Sequence, residues 1–247
     1  MRLDISRIAL ALIVSAGLLS CNQEPTAPSA AQPTVPLALA ASTSGSQLLI
    51  SQVYGGGGNS GAILKNDFVE LHNGTADTVS VAGWSVQYAS AAGTSWQVTT
   101  LSGKIAPGAY YLVQEAFGAG GTTNLPTPEA IGTIAMSATA GKIALVQAVT
   151  PLTGTCPAPG AAVDEVSFGT TASNCGAGTT ATLSNTTATI RADSGCRSTG
   201  DLSTDFATAA PAPRNGASAT HSCQVVIAGP LDHVALVGAA TVTAGGS

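Results

Sequence analysis

Between Gln47 and Phe168 the apolar residues recur at every second position, in short bursts. Trp84-Ser85-Val86-Gln87-Tyr88 shows this most cleanly, with Trp84, Val86 and Tyr88 on one side and Ser85 and Gln87 on the other. Successive side chains of an extended chain point to opposite faces, so a two-residue period predicts a half-buried β-strand. The same reading, helped by β-branched and aromatic residues, predicts strands over 47–53, 67–72, 78–81, 96–101, 110–113, 131–136, 142–146 and 163–168. In the second of these, Phe68, Glu70 and His72 share one face, and Asp67, Val69 and Leu71 the other. In the first, Leu48, Ile50 and Gln52 alternate with Leu49, Ser51 and Val53, both sets largely apolar. Turn chemistry separates the bursts: the Gly55–Gly58 run with Asn59, Asn73-Gly74, and Ala106-Pro107-Gly108. No stretch carries a sustained 3.6-residue apolar stripe of helical length. Short strands broken by turns predict an all-β sandwich or barrel. Residues 169–223 are rich in Gly, Thr, Asn and Ser, and are expected to bury little by themselves.

The two flanks read differently. Arg2 and Arg7 precede an apolar stretch over 8–19, a charged start and short greasy core typical of a secretion signal. Twelve residues are too few to span a bilayer, which takes roughly 20. The closing Leu18-Leu19-Ser20-Cys21 resembles a bacterial lipobox. The resemblance implies a signal peptide over 1–20 and Cys21 as the lipidated first residue of the mature chain. Asn22 is similar to the residue that follows the cysteine in outer-membrane lipoproteins, which implies a place in the cell envelope. Residues 21–46, with Pro25, Pro28, Pro33 and Pro36 among Ala, Ser and Thr, read as a flexible tether of roughly 30–80 Å. Beyond Cys223, Gly229-Pro230 and the alternating run from His233 predict that 224–247 is a linker and the first strand of an incomplete second β-module.

Charge narrows the function. Without residues 1–20 the chain keeps six basic and twelve acidic residues, a net charge of −6. Charged residues are only 9% of the chain, against about 25% in typical domains. An acidic, charge-poor surface has nothing to neutralise phosphates, so no nucleic-acid partner is expected. Cys156, Cys175, Cys196 and Cys223 all lie in the second half. An even number of cysteines in an exported chain reads as disulfides, with three pairings open. Sequential pairing closes the shortest loops. A zinc site is the competing reading; it is weakened by long spacings, by the lack of a Cys-x-x-Cys pair, and by His221 being the one histidine close in sequence.

The ordered set of motifs resembles a known family. Gln52-Val53-Tyr54-Gly55-Gly56-Gly57-Gly58-Asn59-Ser60-Gly61-Ala62 and Asn66-Asp67-Phe68-Val69-Glu70-Leu71-His72-Asn73 are similar to the bacterial lamin-tail domain. Gly83-Trp84, Ile105-Ala106-Pro107-Gly108, Tyr111-Leu112-Val113, Leu125-Pro126, Gly141-Lys142-Ile143-Ala144-Leu145-Val146 and Pro213-Arg214-Asn215 follow in the family's order. The resemblance spans 47–223 and implies an immunoglobulin-like β-sandwich. It further implies a binding or anchoring module of an exported protein, sometimes joined to nuclease or phosphatase domains. The tail from Pro230 is similar to the opening of a bacterial immunoglobulin-like repeat.

No residue set predicts catalysis. The Gly55–Gly58 run lacks the Gly-Lys-Ser/Thr ending of a phosphate loop and reads as a flexible hairpin connection. Asp67 and Glu70 fall on opposite strand faces and cannot converge, and Glu70 is expected to cap or pair within the sheet. Asp164 and Glu165 split likewise. Asp201 and Asp205 read as solvated loop carboxylates, with no calcium-loop spacing around them. There is no Gly-x-Ser-x-Gly elbow. Arg214 is expected to bond loop carbonyls or Asp205, and Trp84 and Trp96 to lie in the core. The reading is a non-catalytic, lipid-anchored lipoprotein of the cell envelope, with no cofactor or metal, that presents a sandwich to a protein or envelope polymer. The alternative is the docking part of a larger extracellular hydrolase of nuclease or phosphatase type; a passive spacer in a β-repeat array is a third.

Overall fold

The computed structural model describes residues 47–223. In chain order the strands are β1 (Leu48–Tyr54), β2 (Asn66–Asn73), β3 (Val79–Ser80), β4 (Ser85–Ser90), β5 (Gln97–Thr100), β6 (Lys104–Ile105), β7 (Tyr110–Phe117), β8 (Ala130–Ile131), β9 (Gly141–Val146), β10 (Asp164–Phe168), β11 (Ala188–Arg191) and β12 (Phe206–Ala209). A single helical turn, α1 (Leu202–Asp205), precedes β12, and a 3-10 turn occupies Asp193–Gly195. The strands form a six-stranded sheet, β12-β11-β1-β2-β7-β8, and a four-stranded sheet, β10-β9-β4-β5, with β3-β6 as a small ribbon. All pairs are antiparallel except β7–β8. The fold is an immunoglobulin-like β-sandwich.

The main core lies between the sheets, where Val53, Leu71, Val86, Ile143, Leu145 and Phe168 interdigitate. Alternation delivers them there, with one interruption. A bulge between Ile50 and Gln52 shifts the β1–β2 register, so Ile50 and Val53 both face the core and Gln52 does not share Ile50's side. One extra residue in a strand reverses every side chain after it. Two satellite cores cover the outer faces: Tyr54, Leu64, Phe68, Leu112 and Ala188 on the larger sheet, and Ala89, Trp96, Ala144 and Val146 on the smaller. Trp84 packs half-buried against the main core.

Three expectations need correction. The strand expected at 131–136 stops at Ile131, whose side chain is exposed. Beyond it the Gly132 N–H still reaches the Gln114 carbonyl and the Ala116 N–H the Ile134 carbonyl, but carboxylates take the next two N–H groups of that face: Glu115 accepts the Ile134 N–H at 2.9 Å and Asp67 the Met136 N–H at 2.9 Å. Residues 169–223 do more than hang from bridges. They supply β11 and β12, and Leu183, Leu202 and Phe206 enter the core. The Gly55–Gly58 run is not a flexible connection but a packed crossing. A Cβ on Gly57 would overlap the Asn66 backbone carbonyl, so only glycine lets the two segments touch.

Both bridges join neighbours in sequence order, Cys156–Cys175 across 19 residues and Cys196–Cys223 across 27. The signal peptide expected over 1–20, Cys21, the tether expected over 21–46 and the run 224–247 lie outside the described residues.

Candidate functional site

The segment from β11 to Cys223 runs back over the outer face of β2 and β7 and seals a row of polar side chains there. Glu70, fully buried, anchors it. Its carboxylate accepts the Ser51 hydroxyl at 2.6 Å, the Arg214 backbone N–H at 2.6 Å and the Arg214 guanidinium at 2.7 Å. Burial pushes the Glu70 carboxyl up, and Arg214 and Ser51 draw it back. The guanidinium lies 3.8 Å above the Tyr110 ring centre. Tyr110 donates its hydroxyl to the Ser194 carbonyl and stacks at 4.6 Å on His72. His72 in turn abuts the Cys196–Cys223 bridge, with Nδ1 3.8 Å from Cys223 Sγ. Arg214 thus pairs with Glu70, 144 residues away, and reaches the Ser194 loop carbonyl at 3.4 Å; of the two partners expected from the sequence, a loop carbonyl is found and Asp205 is not.

Asp205 is also corrected: it is buried, not solvated. It accepts the Thr199 backbone N–H and hydroxyl and stands 3.9 Å from Arg191. Asp201 is exposed and caps α1 by accepting the Ser203 N–H at 2.9 Å. Arg191 fastens the two sheets. It donates to the Ile50 carbonyl at 2.8 Å and to Asp164 at 2.7 Å, and Asp164 also accepts the Ile50 N–H. Lys142, equally buried, donates to the Gly93 and Thr155 carbonyls. Trp96 is buried and donates its indole N–H to the Gly154 carbonyl at 3.0 Å.

Asp67 and Glu115 sit at the end of the sandwich, where they hold 132–136. Burial pushes Asp67 up to about 7, against the pull of the Met136 and Gly57 N–H groups. It pushes Glu115 up to about 7 as well. The Thr99 hydroxyl lies beside Glu115 and eases that rise, yet Glu115 Oε1 and Thr99 Oγ1 complete no well-formed hydrogen bond. Glu165 on β10, raised to about 7 by burial, is drawn back by Lys142 on the neighbouring strand β9 of the smaller sheet. Asp67 and Glu115 are spent on the chain's own backbone, whereas Glu165 lies near Lys142 and its Oε1 completes no well-formed hydrogen bond among the described residues.

A groove of about 1050 Å³ lies on the outer face of the larger sheet. Gln52, Ile190, Leu64, Leu125, Pro211 and Pro213 are among the residues that line it. Asp193 and Ser194 close one end with left-handed backbone, at φ 53° and 57°. Non-glycine residues rarely stay there without surrounding structure that enforces it. The edge of β12, whose outer positions are exposed, borders the same groove. Of the polar row, Glu70, Arg214 and the cysteines stand out in the sequence. Tyr110 and His72 carry only the pattern of strand residues there, because their partners come from far along the chain.

The family model for the Lamin Tail Domain matches residues 41–192. That range takes in β1 to β11 and ends before α1 and β12. A search of curated proteins finds no match.

Proposed function

From the chain's membership of the lamin tail domain family, a family of non-catalytic immunoglobulin-like modules, we propose that it is an exported lipoprotein that binds and does not cut. In this reading Cys21 carries the acyl chains, 21–46 holds the sandwich off the membrane, and 47–223 meets a partner protein or envelope polymer. Two disulfides fit an oxidising compartment. The observation that carries the binding role is the contrast between the two surfaces just described. Glu70, Asp67 and Glu115 are turned to the chain's own groups, while the groove offers apolar side chains beside β12 at the end of the six-stranded sheet, a surface suited to an extended segment of another chain.

The test has two arms. Cys21→Ser should move the protein from the membrane to the soluble envelope fraction, and unchanged fractionation refutes the anchor. Envelope extract passed over immobilised full-length protein should leave a partner that a Leu125→Asp variant of equal melting temperature fails to retain. Equal retention by both proteins refutes the groove as the contact surface.

A further inference from the structure

His72 is completely buried, and its two ring nitrogens have unlike surroundings. Nε2 stands 2.9 Å from the His221 carbonyl oxygen. A carbonyl only accepts, so Nε2 carries the hydrogen and Nδ1 presents a lone pair. That lone pair faces Cys223 Sγ at 3.8 Å. A disulfide sulfur has no hydrogen to give, so a buried acceptor is aimed at a group that cannot satisfy it. Cys196 completes the cluster: one donor atom each from His72, Cys196 and Cys223 lie within 4.8 Å of one another. Gly195, at φ +107°, lets the turn lie this close, since a Cβ there would stand 2.9 Å from the His72 Cβ.

We propose that the Cys196–Cys223 bridge conceals a site for a thiophilic divalent cation, zinc above all, made of the two cysteine sulfurs and His72 Nδ1 once the bridge is reduced. The step balances simply. A thiol or phosphine reductant supplies two electrons and is itself oxidised to a disulfide or a phosphine oxide; the bridge opens to two thiols. The cation then displaces both thiol protons, and His72 contributes a lone pair without losing a proton. Two sulfurs and one imidazole leave the fourth tetrahedral position to water, on the side where Cys223 is half-exposed. The cysteine Cα atoms are 5.4 Å apart, so side-chain rotation with little backbone movement separates the sulfurs enough to share one ion. The His221 carbonyl behind Nε2 is the kind of support that fixes the tautomer and aim of a ligating histidine. Arg214, close enough to act on His72, is neutralised by Glu70.

The experiment uses the full chain carrying Cys21→Ser, Cys156→Ser and Cys175→Ser, which leaves Cys196 and Cys223 as its only cysteines. After phosphine reduction, cobalt(II) should raise a thiolate-to-metal charge-transfer band that saturates at one ion per chain and is bleached by zinc. The oxidised protein should raise none. Zinc-edge X-ray absorption should then find two sulfurs at about 2.3 Å and imidazole nitrogen at about 2.0–2.1 Å. In that same triple-serine chain, His72→Gln should weaken zinc binding after reduction by roughly tenfold or more. The proposal is overturned by absence of the band, by a spectrum of oxygen and nitrogen alone, or by a His72→Gln chain that binds as tightly as its parent. A chain that unfolds on reduction and shows no band overturns it equally.

Discussion

Glu115→Gln should stabilise the sandwich at alkaline pH and do almost nothing in acid. Glu115 is 1% exposed, and burial lifts its carboxyl from 4.5 to about 7. A carboxyl raised in the folded state binds its proton there while the unfolded chain has lost its own. Its contribution is therefore whole below the unfolded value and disappears as pH climbs to about 7. At pH 8 the protein carries the cost of a buried charge, which from that shift is on the order of 3 kcal/mol. Glutamine keeps an oxygen for the Ile134 N–H and places an amide where Thr99 Oγ1 has no partner, without the charge. Urea unfolding followed by fluorescence of Trp84 and Trp96, with the disulfides intact, checks this at acid and alkaline pH. The expected gain at pH 8 is about 2–3 kcal/mol with an unchanged slope against urea, shrinking to near zero at pH 4.5. Wild-type stability should itself fall across that window, because Asp67 and Glu165 are raised to about 7 as well. His72, lowered by burial, acts in the opposite sense and loses its contribution as pH drops below the ordinary histidine range. A glutamine variant that is weaker at pH 8, or equally improved at both values, would falsify the assignment of Glu115 as a strained buried charge.

Two further outcomes test the packing. Arg214→Ala leaves the fully buried Glu70 without its cation and should cost about 3–5 kcal/mol at neutral pH, partly recovered by adding Glu70→Gln; a loss below about 1 kcal/mol in chemical unfolding contradicts the pairing. Gly57→Ala drives a methyl into the Asn66 backbone and should lower stability by at least about 2 kcal/mol, and a melting curve superimposable on the parent's would show that the crossing is loose.

Much of the sandwich could be read from its alternation, because a strand with one wet or polar face records its orientation residue by residue. Val86 and Tyr88, Val69 and Leu71 fall on the core side as their spacing predicts. The pattern misled where the backbone bonded to something besides a neighbouring strand. Residues 132–136 are apolar enough for a strand, but Glu115 and Asp67 take the N–H groups of Ile134 and Met136, and nothing local announces a carboxylate from another element. The bulge at Ser51 is similarly silent, since both faces of β1 are apolar and either register looks acceptable. β11 and β12 were hidden by short, Ala- and Thr-rich sequences whose burial comes wholly from the sheet they join. The polar row was illegible for a related reason. Glu70, Arg214 and His72 acquire their roles from contacts more than 100 residues apart, and chain order carries no trace of such distances.

The two ends of the described chain leave the sandwich at the same pole. Gln47 accepts from Gly74, Asn73 exchanges backbone bonds with Gly108 and Ala109, and Gly108 accepts from His221. The bridge from Cys223 to Cys196 short-circuits the intervening residues, so a pull from the carboxyl side arrives directly beside β11. A pull applied between Gln47 and Cys223 would therefore load this pole first.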